Sequence, residues 1–570
     1  MSPERLCALV VSEPVGFNGP VSRPTQVVQA VGSAFRNADV RRVEIAWGAA
    51  ITAEWAHFVA FGVFAYEFGG VSAVGIAGVV RLLPAALVAP FAASFGDRFS
   101  RERFLLTMSL LGGFALAGSA AAVVVDADVL VFAFAAVFGL AVTLIRPALQ
   151  ALLPSLARTP TELIASNGAT STIESLGTLV GPLLAGVLVA LSGAGLVFLV
   201  GAGALLVAAG VVSRVRVQGR IELHAPTDQH GVGRTLLAGL AAVTHAPRAR
   251  LVVGLTVAQA FVRGCLNVLI VVAAFQVLHA GGEAVGYMTA AMGVGGLLGA
   301  VGAMTLGGRR LAVPFGIALI FWGAPIALIG PLPEFAVAVV LLAVVGVANS
   351  VEDVALFTLL QRLVPDEILT RVLGLVWSLV AGAVALGSLL APVVVDAIGP
   401  RPAFVFVGSI LPLLALVTYR RLVAIDRAVA PAAELELVER VPMFAPLSMA
   451  AKERVAAKLA PLAVHAGEIV IQTGETGDRF YIIGDGEVLV DAAGVSSTLR
   501  HPDCFGEIAL LRSVPRTATV TALIDTQLFV LQRDDFLAAV MGHDSVRAAA
   551  DAVAAQRLAR TEEVHTTSAP

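Results

Sequence analysis

Two charged side chains near the C-terminus have a type and spacing that suit a phosphorylated ligand. Glu507 follows Phe505 and Gly506, and Arg516 lies nine positions later, after a short apolar turn. An arginine can make charge-assisted hydrogen bonds to a phosphate, and a carboxylate can accept hydrogen bonds from sugar hydroxyls. The pair therefore suits a small ligand that carries both a ribose hydroxyl and a phosphate.

Most of the remaining chain has the composition of a membrane protein. Of 570 residues, 58% are hydrophobic and 14% are charged, whereas soluble domains average about 25% charged residues. At this length, more than one domain is expected. The net charge of −3 gives no sign of a nucleic-acid partner. Cys7, Cys265 and Cys504 are too far apart for a metal-ligand pattern, so we predict neither a metal site nor a bound cofactor.

Twelve apolar segments, each about 20 residues long, could each span a bilayer. They cover residues 44–66, 71–93, 103–124, 128–151, 167–190, 194–213, 251–278, 284–306, 311–330, 335–359, 372–396 and 402–419. Arginines lie mainly in alternate turns, among them Arg98, Arg158, Arg214, Arg309 and Arg362; Arg401 departs from the pattern. The positive-inside rule then predicts a multi-pass protein of the plasma (inner) membrane with both termini in the cytoplasm.

An internal repeat indicates two halves of the membrane body. Residues 149–154 recur as 360–365, and Gly181-Pro182 recurs as Ala391-Pro392, at nearly the same offset. Two bundles of six helices are a layout of transporters whose site lies near the membrane midplane. The predicted domains are a cytoplasmic segment (1–42), a first bundle (43–213), a central loop (214–250), a second bundle (251–421), a linker helix (422–439), a ligand-binding domain (440–545) and a lid helix with tail (546–570).

The loop after the second segment resembles a motif of the major facilitator superfamily. In that family the loop carries Gly-x-x-x-Asp-Arg-x-Gly-Arg. This chain keeps Asp97, Arg98 and Arg101, whereas Ala93 and Ser100 replace the two glycines. The resemblance implies a charged cluster that holds one conformation closed. The alternative is a set of arginines that only fixes the topology.

The fifth segment is similar to the antiporter motif of the same family, and the match includes Gly177, Gly181, Pro182 and Gly186. The resemblance implies an exporter. The alternative interpretation is ordinary close packing of helices through small residues.

Few charged residues lie inside the apolar segments, where each costs about 2.5–3.5 kcal/mol to insert. The acidic ones are candidates for proton coupling: Glu54, Glu174, Glu352 and Asp353. His57 lies three residues after Glu54 and shares its helical face. Each acid could equally be a structural partner of an arginine in the same segments, namely Arg81, Arg146 or Arg263.

The C-terminal part changes to short strands separated by glycine-rich turns. Strands are predicted at 467–472, 479–483 and 487–491, which favours a small antiparallel barrel or jelly roll. Residues 440–545 closely resemble cyclic-nucleotide-binding domains, most specifically across 505–520. The fold class is thus a helical membrane protein of twelve spans in two bundles, plus a C-terminal β-barrel or jelly-roll domain with flanking helices.

The second resemblance implies a role for each residue of the cassette. Gly506 lets the backbone approach the sugar, Glu507 accepts a hydrogen bond from the ribose 2′-hydroxyl, and Arg516 contacts the cyclic phosphate. The remaining members are Ile508 and Ala509, which begin a short helix, and Thr517, which bears on the choice between cAMP and cGMP.

Together these patterns predict a secondary transporter, with no catalytic residues, that exports a small hydrophobic or amphipathic compound by proton coupling. Its expected partners are the lipid bilayer, the transported compound and a regulatory cyclic nucleotide, cAMP or cGMP. One alternative is a membrane receptor that no longer transports and reports the nucleotide to a partner protein. A channel is a weaker alternative, because no filter-like Thr-Val-Gly-Tyr-Gly loop occurs.

Overall fold

The structure is a computed structural model that describes most of the membrane body and most of the C-terminal domain. The described residues are 37–96, 101–156, 160–215, 240, 244, 246–303, 310–364, 366–427, 432–447, 449–492, 495–541 and 546–555.

Eleven long apolar helices build the membrane body. They are α1 (Ala38–Gly96), α2 (Arg101–Val124), α3 (Asp128–Leu156), α4 (Pro160–Ser192), α5 (Ala194–Val212), α6 (Pro247–Val272), α7 (Glu283–Ala303), α8 (Ala312–Ile329), α9 (Phe335–Leu363), α10 (Asp366–Ile398) and α11 (Pro400–Arg427). A π-helical turn, Ala273–Val277, extends α6. All eleven are long and apolar enough to cross a membrane, counted over the described residues.

The first helix accounts for the difference between eleven helices and the twelve predicted segments. As one continuous helix, the 59 residues of α1 would measure about 88 Å, nearly three times the hydrocarbon thickness of a bilayer. Its backbone leaves helical geometry at Gly69 and Gly70, and Gly70 has φ +64°. This is where the sequence predicts a turn between the first two spans. The count of twelve stays a prediction that treats the two arms of α1 as separate spans.

The helices form two groups that follow the predicted repeat. In the first, α1 packs on α3, α4 and α5, and α2 packs on α3 and α5. In the second, α7 packs on α9, α8 on α9 and α11, and α6 on α10. The groups meet through α4 against α7 and through α1 against α10.

The C-terminal domain contains two four-stranded antiparallel sheets, with strand orders β1-β8-β3-β6 and β2-β7-β4-β5. The strands are β1 (Ala460–Val464), β2 (Ile469–Ile471), β3 (Arg479–Asp485), β4 (Glu487–Ala492), β5 (Val495–Arg500), β6 (Cys504–Phe505), β7 (Thr519–Ala522) and β8 (Thr526–Gln532). Each of the three predicted strands coincides with an observed one, namely β2, β3 and β4.

Helices flank the two sheets. They are α12 (Ala432–Arg440), a 3-10 turn at Pro442–Phe444, α13 (Met449–Ala456), α14 (Glu507–Arg512), α15 (Arg533–Met541) and α16 (546–555). The predicted linker of residues 422–439 falls on two elements, because α11 continues to Arg427 and α12 begins at Ala432. Residues 428–431, between these two helices, lie outside the described residues.

Candidate functional site

Arg516 is held in position by its own backbone and by two carbonyl groups. Its Nη1 donates to the carbonyl of Gly506 at 2.9 Å, and its Nη2 donates to the carbonyl of Arg479 at 2.8 Å. Its backbone N–H and C=O both bond the turn before β3, at Glu475 and Gly474. A guanidinium has five N–H donors, so three stay free of these two bonds. The side chain is 5% exposed, and burial lowers the pKa of its guanidinium.

The neighbouring cassette residues shape the space beside this guanidinium. Gly506 has φ +89°, and a Cβ there would lie 2.8 Å from Nη1 of Arg516, so both its conformation and its size require glycine. The next residue, Glu507, is buried and begins the short helix α14 one residue earlier than expected. Ala509 is buried, Ile508 is half-buried and Thr517 is exposed.

Tyr481 forms the aromatic side of the same site. The centre of the Arg516 guanidinium lies 5.9 Å from the ring centroid of Tyr481, and this ring stacks on Phe505 with centroids 4.9 Å apart. Burial raises the pKa of the Tyr481 phenol. The carboxylate of Asp478 lies 3.9 Å from Arg516, but that aspartate is 66% exposed, so its attraction is weak. Tyr481 was not predicted from the sequence, because its position on β3 opposite Phe505 is visible only in the fold.

The helix of the cassette is packed into the helical core of the domain. Leu510 on α14 is buried in one apolar cluster with Val438 of α12, Val455 of α13 and Phe536 of α15. The same cluster includes Val546 and Ala550 of α16, the predicted lid helix, so α16 packs on these helices. Helix α15 contacts both α14 and α13, so a displacement of α14 would be transmitted to α13 through this packed cluster.

Helix α13 also contacts the membrane body. Arg362, at the end of α9, and Glu453 on α13 form an ion pair with an Nε–Oε1 distance of 3.0 Å. Their side chains are 9% and 11% exposed. Burial raises the pKa of Glu453, and Arg362 opposes that rise. The sequence analysis placed Arg362 only among the arginines that fix the topology, since no local pattern links residues 91 positions apart.

In the second bundle, two of the predicted acidic residues lie in a buried polar cluster. Asn349 on α9 donates to Asp353 at 2.9 Å, and its oxygen accepts from Arg263 on α6 and, at 3.3 Å, from Trp322 on α8. Glu352 is 1% exposed, and its Oε1 has no hydrogen-bond partner among the described residues. Asn349 and Trp322 were not predicted, because only charged residues inside the apolar segments were taken as candidates and both of these side chains are neutral.

The first bundle places the other two acids differently. Glu174 on α4 pairs with Arg146 on α3, as one of the structural alternatives had it. Glu54 lies within electrostatic range of Arg81 and Arg146. His57 is buried among Phe61, Phe138 and Phe198, with ring centroids 4.5–5.5 Å away. Neither of its ring nitrogens has a hydrogen-bond partner among the described residues, so its surroundings are those of an aromatic core residue.

The antiporter-like motif lies at two helix contacts. A Cβ on Gly177 would lie 2.4 Å from Ile51, and one on Gly181 would lie 2.7 Å from the carbonyl of Thr52, both on α1. A Cβ on Gly186 would lie 3.0 Å from the carbonyl of Glu283 on α7, in the other bundle. Near it, the carbonyl of Pro182 would lie 2.5 Å from a Cβ on Gly286.

Of the conformational motif after the second span, Asp97 and Arg98 lie outside the described residues. Arg101 is the first residue of α2. The proposed role of this motif therefore stays a prediction.

Comparison with known proteins gives separate matches for the membrane body and for the C-terminal domain. Residues 45–384 match the Major Facilitator Superfamily, and residues 461–543 match the cyclic nucleotide-binding domain.

Individual relatives match over short stretches. The chain is 38% identical over 102 residues to a cAMP-dependent protein kinase regulatory subunit of Yarrowia lipolytica, a stretch that covers 17% of this chain and 27% of the relative. It is 37% identical over 101 residues to a cyclic nucleotide-gated potassium channel of Rhizobium etli, covering 18% and 28%. Thermus thermophilus catabolite activator protein is 25% identical, with a TM-score of 0.20 over 22% of this chain and 63% of that one.

The chain spans 27% and 28% of the length of the first two relatives and 63% of the third, so their whole activities do not carry over to this chain. The superfamily match, in contrast, covers most of the eleven apolar helices. The chain belongs to the Major Facilitator Superfamily and carries a C-terminal cyclic nucleotide-binding domain.

Proposed function

We propose that this protein is a secondary transporter whose transport cycle is regulated by cAMP or cGMP bound beside Arg516. The observation that carries the proposal is the continuous contact from the cassette to the membrane body. Leu510 packs the cassette helix into the cluster where α15 contacts α13, and Glu453 of α13 is paired with Arg362 at the end of a membrane helix.

In this proposal the nucleotide is held by the cassette residues of the sequence analysis. Arg516 keeps its two backbone bonds and offers its remaining N–H groups to the cyclic phosphate. Glu507 accepts from the ribose 2′-hydroxyl, and Gly506 lets the sugar approach the backbone. Ile508 and Ala509 line the start of α14, and exposed Thr517 is where the base is distinguished.

We further propose that transport is export of a small hydrophobic or amphipathic compound in exchange for protons. The tight glycine contacts of the antiporter-like motif support this, because they join α4 to helices of both bundles. The carboxylates that would carry the proton are Glu54, Glu174, Glu352 and Asp353, of which Glu352 has a buried oxygen with no described partner. The protein would lie in the plasma membrane with both termini in the cytoplasm, where nucleotide messengers are made.

The nucleotide can bias the transport cycle only by binding more tightly to one conformation of the membrane body than to the other. Release or tightening of the Arg362–Glu453 pair would then change the freedom of the end of α9. The same helix carries Asn349, Glu352 and Asp353, so the regulatory contact and the polar cluster lie on one rigid element.

The test has two separate measurements on the full-length protein. Calorimetric titration in lipid nanodiscs with cAMP and with cGMP measures binding, and Arg516→Ala is the control. Proton-gradient-driven movement of a fluorescent amphipathic cation into proteoliposomes then measures transport, with and without saturating nucleotide.

Binding that is lost in Arg516→Ala, together with a changed transport rate, supports the proposal. Unchanged transport at saturating nucleotide refutes the regulation, and a failure of either nucleotide to bind refutes the site.

A further inference from the structure

A large groove in the membrane body shares no lining residue with the nucleotide site or with the polar clusters. It has a volume of about 610 Å³ and opens between the start of α6 and the last part of α11. Its walls are apolar over Leu251, Leu255, Leu414 and Ile425, whereas its rim carries arginines. The transport proposal assigns no role to this groove.

Three guanidinium groups line the rim. Arg248 and Arg250 come from α6, and Arg421 comes from α11. All three residues are exposed, and none has an ion-pair partner within 4.0 Å among the residues described by the structure. The nearby carboxylate of Asp426 is directed elsewhere, since its oxygens accept from the backbone of Ala312 and Val313 at 2.8 Å. The groove thus has positive charge that its own lining residues do not neutralise.

The depth of the groove matches the boundary between lipid headgroups and acyl chains. The candidate spans that include α6 and α11 are 31 and 28 residues long, whereas about 20 residues cross the hydrocarbon core. Their ends therefore reach the headgroup layer, and Arg248, Arg250 and Arg421 all lie within seven residues of such an end. From Arg421 to Leu414 the groove runs along α11 for about 10 Å towards the membrane interior.

We propose that this groove binds one anionic phospholipid. The phosphate would contact the three guanidinium groups, and an acyl chain would lie along Leu251, Leu255 and Leu414. Basic pockets between membrane helices suit anionic headgroups, whereas a soluble phosphate would use the rim and leave the apolar walls exposed to water. A bound lipid would hold α6 and α11 together just before the chain enters the nucleotide-binding domain.

The inference is independent of the nucleotide proposal and is tested without nucleotide. The full-length protein is purified in mild detergent, and native mass spectrometry measures the retention of phosphatidylglycerol against phosphatidylcholine. Each arginine adds about fivefold to the affinity for an anionic surface, so removal of all three is expected to weaken phosphatidylglycerol binding about 100-fold. The test variant is Arg248→Ala/Arg250→Ala/Arg421→Ala.

Two further variants separate this site from general charge and from loss of folding. Arg420→Ala removes an adjacent exposed arginine that does not line the groove, and it is expected to keep the lipid. Gly254→Leu adds a side chain into open space at the groove wall and leaves the arginines unchanged, so it is expected to expel the lipid.

A thermal melt of the wild-type protein provides a second readout. Phosphatidylglycerol is expected to raise the melting temperature, and inorganic phosphate at equal concentration is not. The proposal is overturned if the triple variant retains lipid like the wild type, if Arg420→Ala loses as much lipid as the triple variant, or if inorganic phosphate stabilises equally well.

Discussion

Replacement of Arg362 by glutamine is expected to separate the nucleotide-binding domain from the membrane body. Opposite charges about 4 Å apart attract by about 4 kcal/mol at an effective dielectric of 20. This value suits the pair, since its side chains are 9% and 11% exposed. Arg362→Gln leaves the Glu453 carboxylate buried without its cation, which typically costs about 3–5 kcal/mol. The equilibrium between docked and separated domains should therefore shift by about 10²- to 10⁴-fold.

A second replacement, Glu453→Gln in the Arg362→Gln protein, tests whether the unpaired carboxylate is what separates the domains. The raised pKa of Glu453 means that burial of its carboxylate already outweighs the attraction of Arg362. A neutral pair avoids both desolvation costs, so Arg362→Gln/Glu453→Gln should dock within about 1 kcal/mol of the wild type. The variant with two changes would thus be closer to the wild type than the variant with one.

The assay is the distance between one spin label on β5 and one at the start of α10, measured by pulsed electron resonance in nanodiscs. Arg362→Gln should broaden the distance distribution and shift it to longer values, and the double variant should restore it. The matched control is Arg454→Gln, which removes an exposed arginine from the same helix. A docked distribution in Arg362→Gln, or a double variant more separated than the single one, would refute this reasoning.

Three further predictions concern the nucleotide site and the domain contact. Arg516→Ala removes the two charge-assisted hydrogen bonds proposed to the cyclic phosphate, which are worth about 1.5–3 kcal/mol each. Nucleotide affinity measured by equilibrium dialysis should therefore fall about 10²- to 10⁴-fold. Gly506→Ala should weaken binding by the strain of its φ of +89° and by contact with Arg516, whereas Gly467→Ala, with φ +87° and open space around it, should only lower the melting temperature. Docking should tighten as the pH falls towards the raised pKa of Glu453, because the docked form binds the proton more strongly than the separated form. The gain in docking is lost as the pH rises through the pKa of the docked form. Acid titration of the spin-labelled protein measures this change in docking.

The features that could be predicted from the sequence depend on local patterns. Apolar runs of about 20 residues gave the membrane helices, and glycine-bounded strands gave β2, β3 and β4. The turn at Gly69 and Gly70 was also visible, because glycine tolerates the φ values that end a helix. Strand β1 pairs with β8 over a long distance in sequence, and such a pairing has no local signature.

The parts of the site that escaped prediction are pairings between distant residues. His57 and Glu54 share a helical face in the sequence, yet His57 is surrounded by aromatic rings from three other positions. Arg516 was assigned to the phosphate, but the two carbonyls that hold its guanidinium could only be found from the fold. Close approach of side chains from separate elements is decided by packing, and packing has no signature within one segment of sequence.

An ion pair whose attraction is nearly cancelled by the cost of burying its charges is well suited to a regulatory contact. If Arg362 and Glu453 stabilised docking by many kcal/mol, a nucleotide would need an affinity difference of the same size between the two states to release it. Each tenfold of affinity difference supplies about 1.4 kcal/mol, so a typical coupling of about 1–3 kcal/mol suffices only when docking is nearly balanced. Since burial of Glu453 offsets the attraction of Arg362, this ion pair adds little net stability to the domain contact, and a nucleotide could overcome a contribution of that size.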